Sequence, residues 1–101
     1  MTIYDIGDRR RLVVTFRDED GSLADPTAVT FAIREPDDLV TTYVYGTDVE
    51  LVRDSVGVYH VHWDIAQAGW HHWRFEGAGS VGVAEESRFQ VRESLVNEEL
   101  S

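Results

Sequence analysis

From Tyr59 to Trp63, and again from His71 to Phe75, large side chains fall on every second position. Tyr59, Val61 and Trp63 alternate with His60, His62 and Asp64, and His71, Trp73 and Phe75 alternate with Trp70, His72, Arg74 and Glu76. A period of two is that of a β-strand with one face on a core; a helix would repeat every 3.6 residues. The stretch containing both runs, Gly57 to Gly77, holds all three tryptophans and all four histidines of the chain. The aromatic set reads as a core face and the histidine-bearing set as an outer face, with Ile65 to Gly69 as the corner between the strands. Large aromatic side chains bury about 150–250 Å² each, so a few of them can stabilise a thin core.

The same period recurs along the chain. Leu12, Val14 and Phe16 make one strand and Val29, Phe31 and Ile33 another. Leu39 to Tyr45 and Val49 to Arg53 make two more, and a last strand runs from Val81 to Arg92 with Phe89 and Val91 inward. Ile3 to Ile6 reads as a separate edge segment interrupted at Gly7. Between strands stand Asp18-Glu19-Asp20-Gly21-Ser22, Glu35-Pro36-Asp37-Asp38, Gly46-Thr47-Asp48 and Gly77-Ala78-Gly79-Ser80, all rich in turn formers. Short strands separated by turns about every 8–12 residues predict an all-β fold, a sandwich or barrel of about seven antiparallel strands. Residues 1–92 form that domain; 93–101 follow as an acidic tail, in which a short helical turn would carry Leu95, Val96 and Leu100.

At 101 residues the chain is one domain. Nineteen acidic residues against nine basic ones give a formal charge of −10, which repels phosphate backbones and anionic lipid, so nucleic acid and membrane are excluded as expected partners. The basic run Arg9-Arg10-Arg11 has Asp5 and Asp8 beside it and reads as a neutralised edge. There is no cysteine, hence no disulfide framework or thiolate site. No run approaches the ~20 apolar residues of a membrane span, and the first residues lack a basic, then apolar, secretion signal.

Four histidines within a short stretch raise a metal reading. His60 and His62 share a strand face, and a simple hairpin would bring His72 across from them with Asp64 nearby, a set that suits zinc. In a sandwich whose two strands belong to opposite sheets, His72 would instead lie on the far side. Asp18 to Asp25 clusters oxygens but lacks the spacing and downstream glutamate of a calcium loop, and reads as a turn. Gly77-Ala78-Gly79-Ser80-Val81-Gly82 matches a dinucleotide fingerprint only in letters, because a strand and not a helix follows. The same absence of a helix removes Ser80 as an elbow nucleophile. No cofactor and no catalytic residue is expected. Trp70 and His72 are candidates for a carbohydrate-binding platform, although Trp70 would serve equally as a cap on the core.

Gly57-Val58-Tyr59, followed by a strand, Ala68-Gly69-Trp70 and Trp73-Arg74-Phe75, resembles a glycine and tyrosine signature of bacterial and phage immunoglobulin-like (Ig-like) β-sandwich modules. In it the glycine permits a tight corner, and the tyrosine buries its ring while its hydroxyl reaches backbone. The remaining chain, Arg10 to Phe16 and then Val29 to Asp37, looks like small proteins of tailed-phage and prophage structural modules and is similar to the Ig-like domain of phage baseplate proteins. In that pattern glycine often follows Pro-Asp, where this chain has Asp38. The resemblance implies an Ig-like β-sandwich and a non-enzymatic virion component at the neck, tail or capsid surface, made in the host cytoplasm. Its partners would be other virion structural proteins or copies of itself, touched through Ile3, Tyr4 and Ile6 and through Leu95, Val96 and Leu100. The alternative is a surface carbohydrate-binding module built on Trp70 and His72.

Overall fold

Alternation along each strand sets which side chains meet, and the strands pair so that every aromatic set faces inward. The computed structural model describes residues 3–79 and 84–92, which contain eight strands and no helix: β1 (Ile3–Asp5), β2 (Arg9–Thr15), β3 (Ala28–Arg34), β4 (Val40–Val44), β5 (Leu51–Ser55), β6 (Val58–Asp64), β7 (Gly69–Ala78) and β8 (Ala84–Arg92). A five-stranded sheet in the order β1-β8-β7-β3-β4 packs on a three-stranded sheet in the order β2-β6-β5. Every pairing is antiparallel except that of β1 with β8. β2, β6 and β5 occupy the B, E and D positions of an immunoglobulin sandwich and β3, β7 and β8 the C, F and G positions, with β4 added beyond C as in variable-type domains. The fold is therefore the Ig-like β-sandwich that the strand pattern and the resemblance led us to expect. The expected acidic tail, with its helical turn, lies outside the described residues.

The core is the sum of the inward sets. Leu12, Val14, Phe16, Val29, Phe31, Ile33, Val61, Phe75, Phe89 and Val91 are buried, together with Tyr59, Trp63 and Trp73. Across the larger sheet Tyr43, Phe31 and Phe75 stand opposite one another in register, with ring centroids 6.1 and 4.8 Å apart. Between the sheets Tyr45 meets Tyr59 edge-on at 5.2 Å and Tyr43 meets Trp63 at 6.3 Å. Such pairs contribute about 0.5–1.5 kcal/mol each beyond area burial.

Several strand bounds differ from the sequence reading. Val49 does not open β5: the carboxylate of Asp48 accepts the Val44 N–H at 2.8 Å, and the Val44 carbonyl accepts N–H groups of Thr47 and Asp48. That closed turn carries Val49 out to 88% exposure. Gly77 is not in the turn but inside β7, where a Cβ would stand 2.7 Å from both the Phe16 ring and Pro26. Its absent side chain is what lets that ring close the core. The Ile3–Ile6 segment is an edge, as expected, although only Ile3–Asp5 is strand; Gly7 then donates to the Ile65 carbonyl at 2.9 Å as the chain crosses between sheets.

Candidate functional site

The outer face of the five-stranded sheet carries a cross-strand row. Arg34 on β3 stands opposite His72 on β7, and His72 stands opposite Arg88 on β8. One row along, Ala32 faces Arg74 and Arg74 faces Glu86. Because Ala32 is short, the sheet sinks between its neighbours, leaving an open depression of about 470 Å³ lined by Ala32, Arg34, Val40, His72, Arg74 and Arg88 among others. Arg74 bonds Glu76 at 2.6 Å and Glu86 at 3.2 Å. Arg88 lies over the Trp70 ring at 4.5 Å. Neither Arg34 nor Arg88 has a carboxylate partner among the described residues. Trp70 and His72, expected as a ligand platform, do share this face, but Trp70 is half-buried and one side of its ring is taken by the guanidinium.

At the opposite end of the sandwich a carboxylate ties three segments together. Asp25, in the β2–β3 connection, accepts from Arg53 Nε and Nη2 (3.1 and 2.9 Å), from the Gly57 N–H (2.8 Å) and from the Tyr59 hydroxyl (3.0 Å). Bonding to Arg53, then to the Gly57 N–H, holds its carboxyl down at about 2. Burial, with the adjacent carboxylate, pushes the Tyr59 phenol up to about 12. A carboxylate so saturated by donors is a fixed anion at neutral pH and a poor base. The expectation that the Tyr59 hydroxyl reaches backbone is corrected here: the short Asp25 side chain enters the corner first and takes the hydroxyl, while its other lone pairs hold the turn.

The histidines separate. His60 and His62 lie together on the outer face of the smaller sheet, rings 4.8 Å apart, and His60 Nδ1–H donates to the Asp54 carboxylate at 2.8 Å. Arg11 bonds the same carboxylate at 2.9 Å. Burial, then Arg9 and His60 nearby, lower the His62 pKa. His72 belongs to the other sheet, as the sandwich alternative had it, and not across a hairpin from His60 and His62; β6 and β7 are consecutive but lie in different sheets. Among the described residues no three histidine, aspartate or glutamate side chains are grouped to hold an ion. The acidic loop is a turn, as expected, with Asp18 Oδ1 accepting the N–H groups of Asp20 and Ser22. His71 is fully buried against Phe89, ring centroids 4.8 Å apart, and burial lowers its pKa.

Of the residues expected to meet partners, Ile3 and Tyr4 sit on edge strand β1 opposite Gln90 and Val91. Ile6 follows, 47% exposed, and Leu95, Val96 and Leu100 lie outside the described residues. Sequence reasoning missed a second apolar surface. Seven of the nine exposed large hydrophobic side chains among the described residues lie between Leu39 and Val56, along the β4–β5 side. Val40 and Val44 point outward from β4, in line with Arg34 and Thr30. The Tyr45 N–H is bonded inward to Val29, so by alternation the backbone groups of Val40 and Thr42 face away from the sheet, open to a further strand. The available signal was the run Leu39-Val40, which follows a turn with no polar residue between.

Fold and surface thus define an Ig-like β-sandwich with one open apolar edge and one cationic outer face. Compared with known proteins, the chain matches no family model, no curated protein and no solved structure.

Proposed function

We propose that the chain is a non-enzymatic structural component of a tailed-phage virion, acting through protein–protein contacts with other virion proteins or with its own copies. The observation that carries the contact reading is the edge of β4, where Val40 (56% exposed) and Val44 (39% exposed) flank unpaired backbone. Edge strands of this kind are usually blunted by charge or proline, because they accept a partner strand; β4 has neither. The phage context rests on the sequence resemblance, to which the open sandwich edges add physical sense. The carbohydrate alternative has weaker support, since sugar stacking needs a free aromatic face and Arg88 covers one side of Trp70.

Particles purified from a strain carrying the gene provide the test. The chain is expected in them at fixed copy number, and a Val40→Lys/Val44→Lys double variant is expected to fold normally yet be lost from them. Absence of the wild-type chain from particles would overturn the virion reading. Undiminished incorporation of the double variant would overturn the β4 contact.

A further inference from the structure

In the row Arg34–His72–Arg88, the Arg88 guanidinium lies over the Trp70 ring and Arg34 closes the end of β3. Neither arginine is offset by a carboxylate among the described residues. All nine basic residues of the chain are arginines, whose planar fork matches a carboxylate with two parallel hydrogen bonds. Three of them, Arg34, Arg74 and Arg88, line one depression of about 470 Å³ with apolar lining at Ala32 and Val40; Glu86 lines it too and is paired with Arg74, which leaves the charges of Arg34 and Arg88 for a ligand. Its chemistry suits a peptide bearing carboxylates with apolar side chains between them.

Residues 93–101 read Glu-Ser-Leu-Val-Asn-Glu-Glu-Leu-Ser, with Glu93, Glu98 and Glu99 interleaved with Leu95, Val96 and Leu100. We propose that this depression is a docking site for that acidic segment, supplied by a second copy of the chain. β8 runs toward Arg92, past Gln90, which stands opposite Trp70. At Arg92 the strand axis therefore points off the sheet and away from the Arg88 row, so that reaching this row within one copy would need a reversal of the chain. Nine residues reach up to about 30 Å when extended, more than the ~19 Å between the outer strands of a five-stranded sheet. Segment of one copy on face of the next is a heterologous contact, the kind that propagates into rings or filaments. This contact shares Val40 with the β4 edge, but the variants that test it leave Val40 and Val44 unchanged, and it does not require the virion reading.

Sedimentation of the full chain at rising concentration tests it. The wild type is expected to self-associate at low salt and to dissociate at high salt, as exposed charge pairs are screened. Arg34→Glu/Arg88→Glu and Glu98→Arg/Glu99→Arg should each weaken association about tenfold or more, since like charges then meet. Mixing the two variants should restore it, because each then offers a surface complementary to the other. A wild type that stays monomeric at every concentration overturns the proposal, including the case where the segment folds onto its own chain. So does association that neither variant disturbs, or a mixture that fails to recover. The substituted arginines are exposed, and unchanged thermal unfolding of both variants would show that folding is not what moved.

Discussion

Replacing Gly57 with alanine strikes the corner where the sheets are tied, and its cost can be worked out from the geometry. Gly57 has φ of +74°, and an added Cβ would lie 2.6 Å from the Phe16 carbonyl oxygen and 2.9 Å from the Ala24 nitrogen. Those atoms bond each other at 3.1 Å, and Phe16 N–H also donates to the Gly57 carbonyl at 2.7 Å. The left-handed conformation costs an L-residue about 1–2 kcal/mol. Backbone at these distances cannot yield as a flexible side chain would, so the turn must shift and weaken hydrogen bonds worth about 1 kcal/mol each. The sum is about 2–4 kcal/mol, against a total of about 5–15 for a domain. At about 4–8 °C per kcal/mol, the melting temperature should fall by roughly 8–32 °C. Gly46→Ala is the control, with φ of +91° and nothing within 4 Å of its Cβ. It meets the conformational cost alone and should lose only about 1–2 kcal/mol. Denaturant titration followed by tryptophan fluorescence compares the two. Equal losses would refute the argument, because the close approach to Phe16 and Ala24 would then carry no energy.

Asp38→Gly should do the reverse. Asp38 sits at φ of +67° in the turn closed by its N–H on the Glu35 carbonyl at 2.9 Å, and glycine there should raise stability by about 0.5–1 kcal/mol in the same titration. Stability should also depend on pH at both extremes through the Asp25 tie. The Asp25 carboxyl lies below its ordinary 3.8, at about 2, so its contribution is present above pH 3.8 and is lost as pH falls through that window. The Tyr59 phenol lies above its ordinary 10.0, at about 12, so its contribution is present below pH 10 and is lost as pH rises toward 12. Asp25→Asn should flatten the acid limb and Tyr59→Phe the alkaline limb of a melting-temperature profile; an unchanged slope in either variant would count against the tie.

What was legible was whatever a single strand records. Leu12, Val14 and Phe16, or Tyr59, Val61 and Trp63, declare their face by alternation, and the structure buries each of them. Gly69 and the corner before it told that β6 and β7 part, which is why the histidines were rightly expected to separate in a sandwich. Illegible were features assembled from several segments. Asp25 reads as a loop residue beside Pro26 until Arg53, Gly57 and Tyr59 close on it. The Arg34–His72–Arg88 row needs three strands in one register, and no local pattern contains it. Gly77 looked like a turn glycine because nothing near it in sequence reveals that Phe16 lies on its α-carbon.

Those separate features sort to the two ends of the sandwich. Asp25, Gly57, Gly77 and the Phe16 ring gather where β2 and β7 finish and β3 and β6 begin. There glycines without side chains admit backbone and rings at van der Waals distance, and a saturated carboxylate ties the β2–β3 connection to the β5–β6 hairpin. Toward the other end lie the Pro36 turn, Trp70, His72 and the arginines Arg34 and Arg88, roughly 17 Å along β7 from Gly77 at about 3.4 Å per residue. Here the sheet keeps its cations unmatched and its β4 edge unpaired. One row along, Arg74 is matched across the strands by Glu86, whereas Arg34 has no such carboxylate among the described residues and Arg88 has only the Trp70 ring. One end of the molecule is thus arranged to hold the fold closed, and the other carries the exposed arginines and the open β4 edge on which both proposed contacts rest.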